Sequence, residues 1–297
     1  MSKADSIKAR LLSIAIKSGK TNEYIQTHYF IERLLYRLSI SRFANEFVLK
    51  GGLLLHAIFD NRARATRDID LLARQISNIP DQMINVFREI CAIPVDDGVT
   101  FDEKSISAEP ITEDADYTGI RLKVVCFLDR TQSNVQFDIG FGDVIVPKPE
   151  RMMYPSLLGM EEAKLLVYSK ESIIAEKFQA MVYLAQANSR MKDFYDIAML
   201  ASSYDYDGAV LREAVAQTLE RRATPMAAEP IIFTDAFAAD ADKQKQWAAF
   251  AARIKLTDTS FENELAIICA FLRPVYQAII HEKDFLMTWR HTDRAWT

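Results

Sequence analysis

The sequence predicts an α+β fold: a mixed β-sheet core with N-terminal helices before it and a helical C-terminal domain after it. Three observations predict this. Apolar residues recur at helical spacing ahead of residue 47. Segments with period-two alternation fill the stretch to about residue 150. Helical periodicity then returns from residue 161 to the end. The implied division is a helical segment over 1–46 packed on the core, an α/β core over 47–160, and a helical domain over 161–297. A chain of 297 residues is long enough for a sizeable core.

In the first segment Ile7, Leu11, Leu12, Ile14 and Ala15 share helical spacing, and after Gly19 and Asn22 a second pattern runs through Tyr24, Ile25, Phe30, Ile31, Leu34, Leu35 and Leu38. The apolar run from Leu53 to Phe59 reads as a short helix, and Asp68-Ile69-Asp70-Leu71-Leu72 as a strand. Asp81 to Cys91 is amphipathic through Met83, Ile84, Val86, Phe87 and Ile90. Strands are expected over 101–107, 119–128 and 134–139, and the alternation in Val135 to Ile139 puts Asp138 on the face of Gln136. Gly140 and Gly142 read as a turn, and Pro147, Pro149 and Pro155 as the end of the sheet region. Further on, Ser172–Ala187 and 190–201 are helical, as is the Ala-rich stretch Asp240–Ile254. Thr259 and Glu262 suggest a capping box ahead of Leu265 to Ile280. The segment 221–230, with Pro225 and Pro230, reads as a flexible linker.

Hydrophobic content of 49% and charged content of 26% are those of a soluble globular chain. No apolar run of about 18 residues is evident, so no membrane span is expected. The first twenty residues are too charged and amphipathic for a signal peptide. Three scattered cysteines, Cys91, Cys126 and Cys269, suggest neither a metal site nor a disulfide framework and suit the cytoplasm. A net charge of −5 argues against general coating of nucleic acid but leaves room for a local basic patch. The four histidines are dispersed, with His56 read as a packed helix residue, and Trp289 and Trp296 as packing or tail residues.

The chemistry concentrates between Lys50 and Asp70. Gly51 and Gly52 let the backbone approach a phosphate, and the helix that follows offers its N-terminal N–H groups to an anion. Asp68 and Asp70 stand two apart, so on a strand their carboxylates project side by side. Two such charges call for a cation, and Mg²⁺ suits them because it takes one or two carboxylates together with substrate phosphates. Asp138 is the candidate third carboxylate, with Asp143 as the fallback. Arg62, Arg64 and Arg67 are candidates for phosphate or nucleic-acid contact. Lys177 lies in an apolar stretch and needs a negative partner, which a triphosphate would be. Asp193 and Asp196 share a helix face, where they could orient Lys177 or Arg190 or position the attacking hydroxyl; the alternative is a solvated face with surface ion pairs.

With these residues in place, the chain resembles the AbiEii/AbiGii nucleotidyltransferase toxin family, of the polymerase-β-like nucleotidyltransferase superfamily. The resemblance rests on FVLKGGLLLHAIF (47–59), RATRDIDLL (64–72), VQFDIGFGD (135–143) and IIAEKFQAM…SRMKDFYDIAML (173–200). It implies a polymerase-β-like core and the toxin of a type IV toxin–antitoxin or abortive infection system, with an NTP as cosubstrate, Mg²⁺ or Mn²⁺ as metal, and a cognate antitoxin as partner. Some related toxins modify the acceptor end of tRNA and so stop translation. The resemblance matches Gly51 and Gly52 to the phosphate-binding turn, Asp68 and Asp70 to the metal pair, and Lys177 and Asp196 to the later motifs. The candidate nucleotide-binding residues are Lys50, Gly51, Gly52, Thr66, Arg67 and Asp193, the candidate catalytic residues Asp68, Asp70, Lys177 and Asp196, and the candidate metal ligands Asp68, Asp70 and Asp138. Polymerase-β-like enzymes generally carry Gly-Ser at the turn; here Gly52 stands in the Ser position, and the Thr66 hydroxyl or a backbone N–H is the substitute. Nucleotide addition to a protein, metal-dependent RNA cleavage and a non-catalytic antitoxin-binding protein are the alternatives.

Overall fold

Two capped helices open the computed structural model, which describes residues 2–59, 64–114, 117–257 and 259–297. Helix α1 (Lys3–Ser18) starts at a reciprocal Ser2–Asp5 capping box and stops at Gly19, whose φ of 66° only glycine adopts without strain. Helix α2 (Asn22–Ile40) starts where the Thr21 side chain accepts from the Tyr24 N–H. Next come β1 (Phe47–Lys50), α3 (Gly51–Phe59), β2 (Ile69–Ala73) and α4 (Pro80–Cys91). The core is completed by β3 (Val99–Asp114), β4 (Tyr117–Leu128), β5 (Thr131–Phe141), β6 (Glu150–Tyr154) and β7 (Ala163–Val167). All belong to one compact unit, Met1–Gly142 with Pro149–Tyr168.

The seven strands form one mixed sheet in the order β3-β4-β5-β2-β1-β7-β6. The β2–β5 and β1–β7 pairs are parallel and the others antiparallel. Ile69, Leu71, Ile120, Leu122, Phe137 and Ile139 are buried on one face, where Phe137 meets Phe87 of α4 at 4.8 Å between ring centroids. Alternation thus buries one face and leaves Asp70, Asp138 and Gln136 on the other. A buried ionic network joins α2 to the segment before β3. Arg37 grips Asp97 through Nη1–Oδ2 at 2.6 Å and Nη2–Oδ1 at 3.1 Å, and Arg33 adds Nε–Oδ2 at 3.0 Å.

Two expectations for this unit need correction. The proline-rich stretch does not end the sheet: β6 lies within it and β7 after it, with Pro149 and Pro155 flanking β6 at the sheet edge, where a missing N–H costs no ladder bond. Gly140 lies within β5, which runs to Phe141, so the glycines do not form a turn directly after Asp138.

The second unit is Asp143–Lys148 with Ser169–Thr297. It contains α5 (Lys170–Leu184), α6 (Met191–Ala201), β8 (Tyr206–Asp207), α7 (Gly208–Arg221), α8 (Asp235–Ala238), α9 (Ala241–Ile254), α10 (Phe261–Ile280), β9 (Thr288–Arg290) and β10 (Ala295–Trp296). Strands β8, β9 and β10 form a small sheet. Trp289 is fully buried there; its indole N–H donates to the Ala201 carbonyl at 2.7 Å, and its ring packs on Phe271 and Trp296. Three expectations are corrected here. The cap of α10 is Ser260, whose Oγ accepts from the Asn263 N–H, while Thr259 donates to Glu264. The proposed linker lies inside this unit and is tied down: the Tyr276 hydroxyl donates to the Ala227 carbonyl at 2.6 Å and the Gln277 amide to Ala228 at 3.1 Å. Helix α10 is long and apolar enough, by length and composition, to cross a membrane. In the structure its Leu265, Ile268, Phe271, Leu272, Val275 and Tyr276 are buried within the unit.

Candidate active site

Strand register assembles one row of charge across five strands. Lys50 of β1 is opposite Asp70 of β2, Asp70 is beside Asp138 of β5, Asp138 is opposite Arg121 of β4, and Arg121 is opposite Glu109 of β3. Side chains directly opposite in neighbouring strands lie within contact range, so residues far apart in sequence become neighbours here. Asp68 is exposed just ahead of β2.

The glycine turn closes against this row. Gly51 has φ of 68°, and a Cβ built on it would collide with the Asp70 carboxylate. Asp70 is thus seated over the turn, and only glycine permits it. A Cβ on Gly52 would lie 3.0 Å from Arg64 Nη2 and 3.2 Å from Thr66 Oγ1. The N-terminus of α3, a guanidinium and a hydroxyl therefore converge over Gly52. The Thr66 hydroxyl is close to where a serine side chain at position 52 would stand.

The other candidates of this unit are placed as follows. The Lys50 ammonium is buried and 5.5 Å from the centre of the Tyr168 ring. Arg67 is exposed and donates to Glu23 at 2.8 Å, a surface pair worth about 0–1 kcal/mol and easily exchanged. Arg62 lies outside the described residues. Asp138 is gripped by Arg121: Nε–Oδ1 and Nη2–Oδ2 are both 2.8 Å, and Gln136 adds a donor to Oδ1 at 3.3 Å. The Asp138 hydrogen bonds push the Arg121 guanidinium pKa up, with Glu109 and Asp68 adding to the field. Among the described residues no group of three or more His, Cys, Asp or Glu side chains is arranged to hold a metal ion. The pair Asp68 and Asp70 still fits Mg²⁺, which commonly takes one or two carboxylates and completes its octahedron with water and phosphate.

Sequence reasoning missed two residues here. Arg121 belongs to Ile120-Arg121-Leu122-Lys123-Val124, a period-two alternation that marks a strand with a basic outer face. His28 of α2 is buried and its Nε2 lies 2.8 Å from the Thr66 carbonyl. A carbonyl only accepts, so Nε2 carries the proton. Burial, with His56 adding, lowers this imidazole from 6.5 to about 4 and keeps it neutral. His28 thereby anchors the backbone that carries Thr66 and leads to Asp68. No local sequence signal pointed to it. His56 sits on α3 with its ring 5.0 Å from that of His28, as a packed helix residue would.

Within the second unit, Lys177 of α5 reaches Asp193 Oδ1 at 2.8 Å and Asp196 Oδ2 at 2.7 Å, both on α6 and both fully buried. Arg190 adds a contact to Asp193 Oδ2 at 2.6 Å. The solvated-face alternative for these aspartates is therefore overturned. Burial alone would raise the Asp193 carboxyl, but Lys177 and Arg190 hold it below its ordinary value. Asp143 is buried in this unit on Arg222, at 3.1 Å from Nη2, and Arg222 also approaches Glu176 at 3.4 Å.

Comparison with known proteins bears on the fold and the family. The sequence model of the family described as "Nucleotidyl transferase AbiEii toxin, Type IV TA system" matches residues 33–270. No curated protein sequence matches the chain significantly. Among solved structures, MenT4, a nucleotidyltransferase toxin from Mycobacterium tuberculosis H37Rv, is 17% identical, with 92% of this chain and 99% of that chain covered and a TM-score of 0.54. Two Helicobacter pylori chains are each 12% identical. JHP933 covers 88% of this chain and 95% of its own with a TM-score of 0.47, and the other covers 89% and 100% with a TM-score of 0.50. The likeness to MenT4 shows a shared fold, and the family match spans well over half the chain, from within α2 to within α10. The chain belongs to the AbiEii nucleotidyltransferase toxin family of type IV toxin–antitoxin systems.

Proposed function

We propose that the chain transfers a nucleoside monophosphate from an NTP to an RNA hydroxyl, with the 3′ end of tRNA as acceptor, and so blocks translation in the cytoplasm. The observation that carries this reading is the seating of Asp70 over Gly51, with Arg64 and Thr66 beside Gly52. That arrangement suits a triphosphate on the turn with a carboxylate pair at its edge. Mg²⁺ or Mn²⁺ held by Asp68 and Asp70, when bound, would neutralise phosphate charge and lower the pKa of the attacking hydroxyl. The acceptor oxygen forms a bond to the α-phosphorus, the bond from that phosphorus to the bridging oxygen breaks, pyrophosphate leaves, and the hydroxyl proton passes to solvent. Arg64, the Thr66 hydroxyl and the N–H groups of α3 steady the phosphates, and His28 holds the Thr66 backbone. For Lys177, Asp193 and Asp196, the match to the family's later motifs supports a part in handling phosphate charge. A cognate antitoxin is the expected protein partner.

The test is incubation of the purified chain with Mg²⁺, each labelled NTP in turn and total cellular RNA, beside Asp68→Ala. Label in tRNA with the wild type alone supports the reading. Label on protein replaces the acceptor but keeps the chemistry. RNA shortened without label would establish a nuclease instead.

A further inference from the structure

We propose that Arg121, rather than a second metal ion, neutralises the Asp138 side of the carboxylate group, so that the site takes one divalent cation, on Asp68 and Asp70. This deepens the nucleotidyltransferase reading and rests on it.

The geometry of the pair carries the inference. Arg121 meets Asp138 fork to fork, with one donor on each carboxylate oxygen at 2.8 Å, and Gln136 adds a further donor to Oδ1. Bidentate pairing of this kind is directional and strong. A cation ligated by the lone pairs left on Asp138 would sit beside the guanidinium, a like-charge contact in a partly desolvated place. The pair is built into the sheet: Arg121 and Asp138 are register partners on adjacent strands, so neither swings away without leaving its row. Glu109, the register partner of Arg121 on its other side, places its carboxylate on Lys123 at 3.0 Å and leaves the guanidinium to Asp138.

Arg121 also keeps a working end: its side chain is 35% exposed, and Nη1 has no hydrogen bond among the described residues. That N–H group can reach a phosphate oxygen of a nucleotide bound beside Asp70. Asp138 is then a positioning residue that aims Arg121, and Arg121 supplies the second positive charge that phosphoryl chemistry requires.

Mn²⁺ titration of the full chain, followed by loss of the free-ion paramagnetic resonance signal, tests this without reference to activity. The inference predicts one Mn²⁺ per wild-type chain and loss of that site in Asp70→Asn. It predicts an Mn²⁺ affinity within about threefold of wild type in Asp138→Asn, and a second site in Arg121→Gln, where Asp138 is released. A non-hydrolysable ATP analogue should bind at least tenfold more weakly to Arg121→Gln than to wild type, with Arg121→Lys in between. Two Mn²⁺ per wild-type chain, or loss of the site in Asp138→Asn to the extent seen in Asp70→Asn, would overturn the inference while leaving a metal-dependent transferase standing. A wild type that binds no Mn²⁺ would overturn both. Thermal unfolding of each variant shows that it is folded.

Discussion

A single methyl group probes the turn at Gly51. At φ of 68° an L side chain is strained by about 1–2 kcal/mol, and its Cβ would strike the Asp70 carboxylate. Gly51→Ala is therefore expected to keep its helical and sheet content by circular dichroism but to lose transfer activity by about 10²-fold, the scale of a misplaced catalytic group. His28 gives a second prediction. Its pKa falls from 6.5 to about 4 on folding, so the unfolded chain takes up a proton that the folded chain refuses. The stability this protects is complete above pH 6.5 and declines by about 3 kcal/mol as pH falls to 4. Chemical denaturation of His28→Gln, which keeps an N–H donor, should show that decline removed; an unchanged pH profile would assign it elsewhere. The juxtaposition of the Gly51-Gly52 turn and Asp70 was legible in the sequence because these candidate residues fall within twenty positions. Arg121 and His28 were not, because their partners are set by strand register and by packing of α2, at separations of 17 and 38 residues.

At the scale of elements, the two buried ionic clusters are where substitution should cost most. Lys177 joins α5 to α6 through two fully buried carboxylates. Lys177→Met leaves both without that cation and is expected to lower stability by about 3–5 kcal/mol, read as a fall in Tm. A catalytic role for Lys177 therefore has to be judged on protein verified as folded. The depressed Asp193 carboxyl contributes stability that is present above pH 3.8 and lost as pH falls through its lower folded value. That window lies below the one set by His28, so acid titration separates the two. Asp97→Ala, which strips two buried arginines of their shared carboxylate, should cost a comparable amount. Elements with a full amphipathic period were legible: α2, α4, α5 and α6 lie within a few residues of their expected bounds. Strands β6 and β7 were hidden because each is only five residues long and prolines flank β6. The cap of α10 was misplaced by one residue because Thr259 and Ser260 both offer hydroxyls, and backbone geometry chose the second.

At the scale of the whole molecule, a formal net charge of −5 sets a condition on any RNA acceptor: attraction must come from local cations working against a repulsive background. If about three phosphates are contacted, raising salt from about 50 to 200 mM should raise the RNA KM on the order of tenfold, from the counterion-release slope for single strands. A KM for RNA that ignores salt would exclude an electrostatically held acceptor. Fold class was legible at this scale because alternation and helical period occupy separate stretches of the chain. The proposed substrates were legible only through the family motifs, since a core of this type says little about what it modifies. The central claim is that Asp68 and Asp70, at the edge of the glycine turn, drive nucleotidyl transfer. The most direct measurement is pyrophosphate release in a single turnover with NTP, Mg²⁺ and RNA, comparing wild type with Asp70→Asn at matched Tm. The account predicts release in step with label incorporation for the wild type and a loss of at least 10³-fold for the variant, about 4 kcal/mol of barrier. Undiminished release from the folded variant would contradict it.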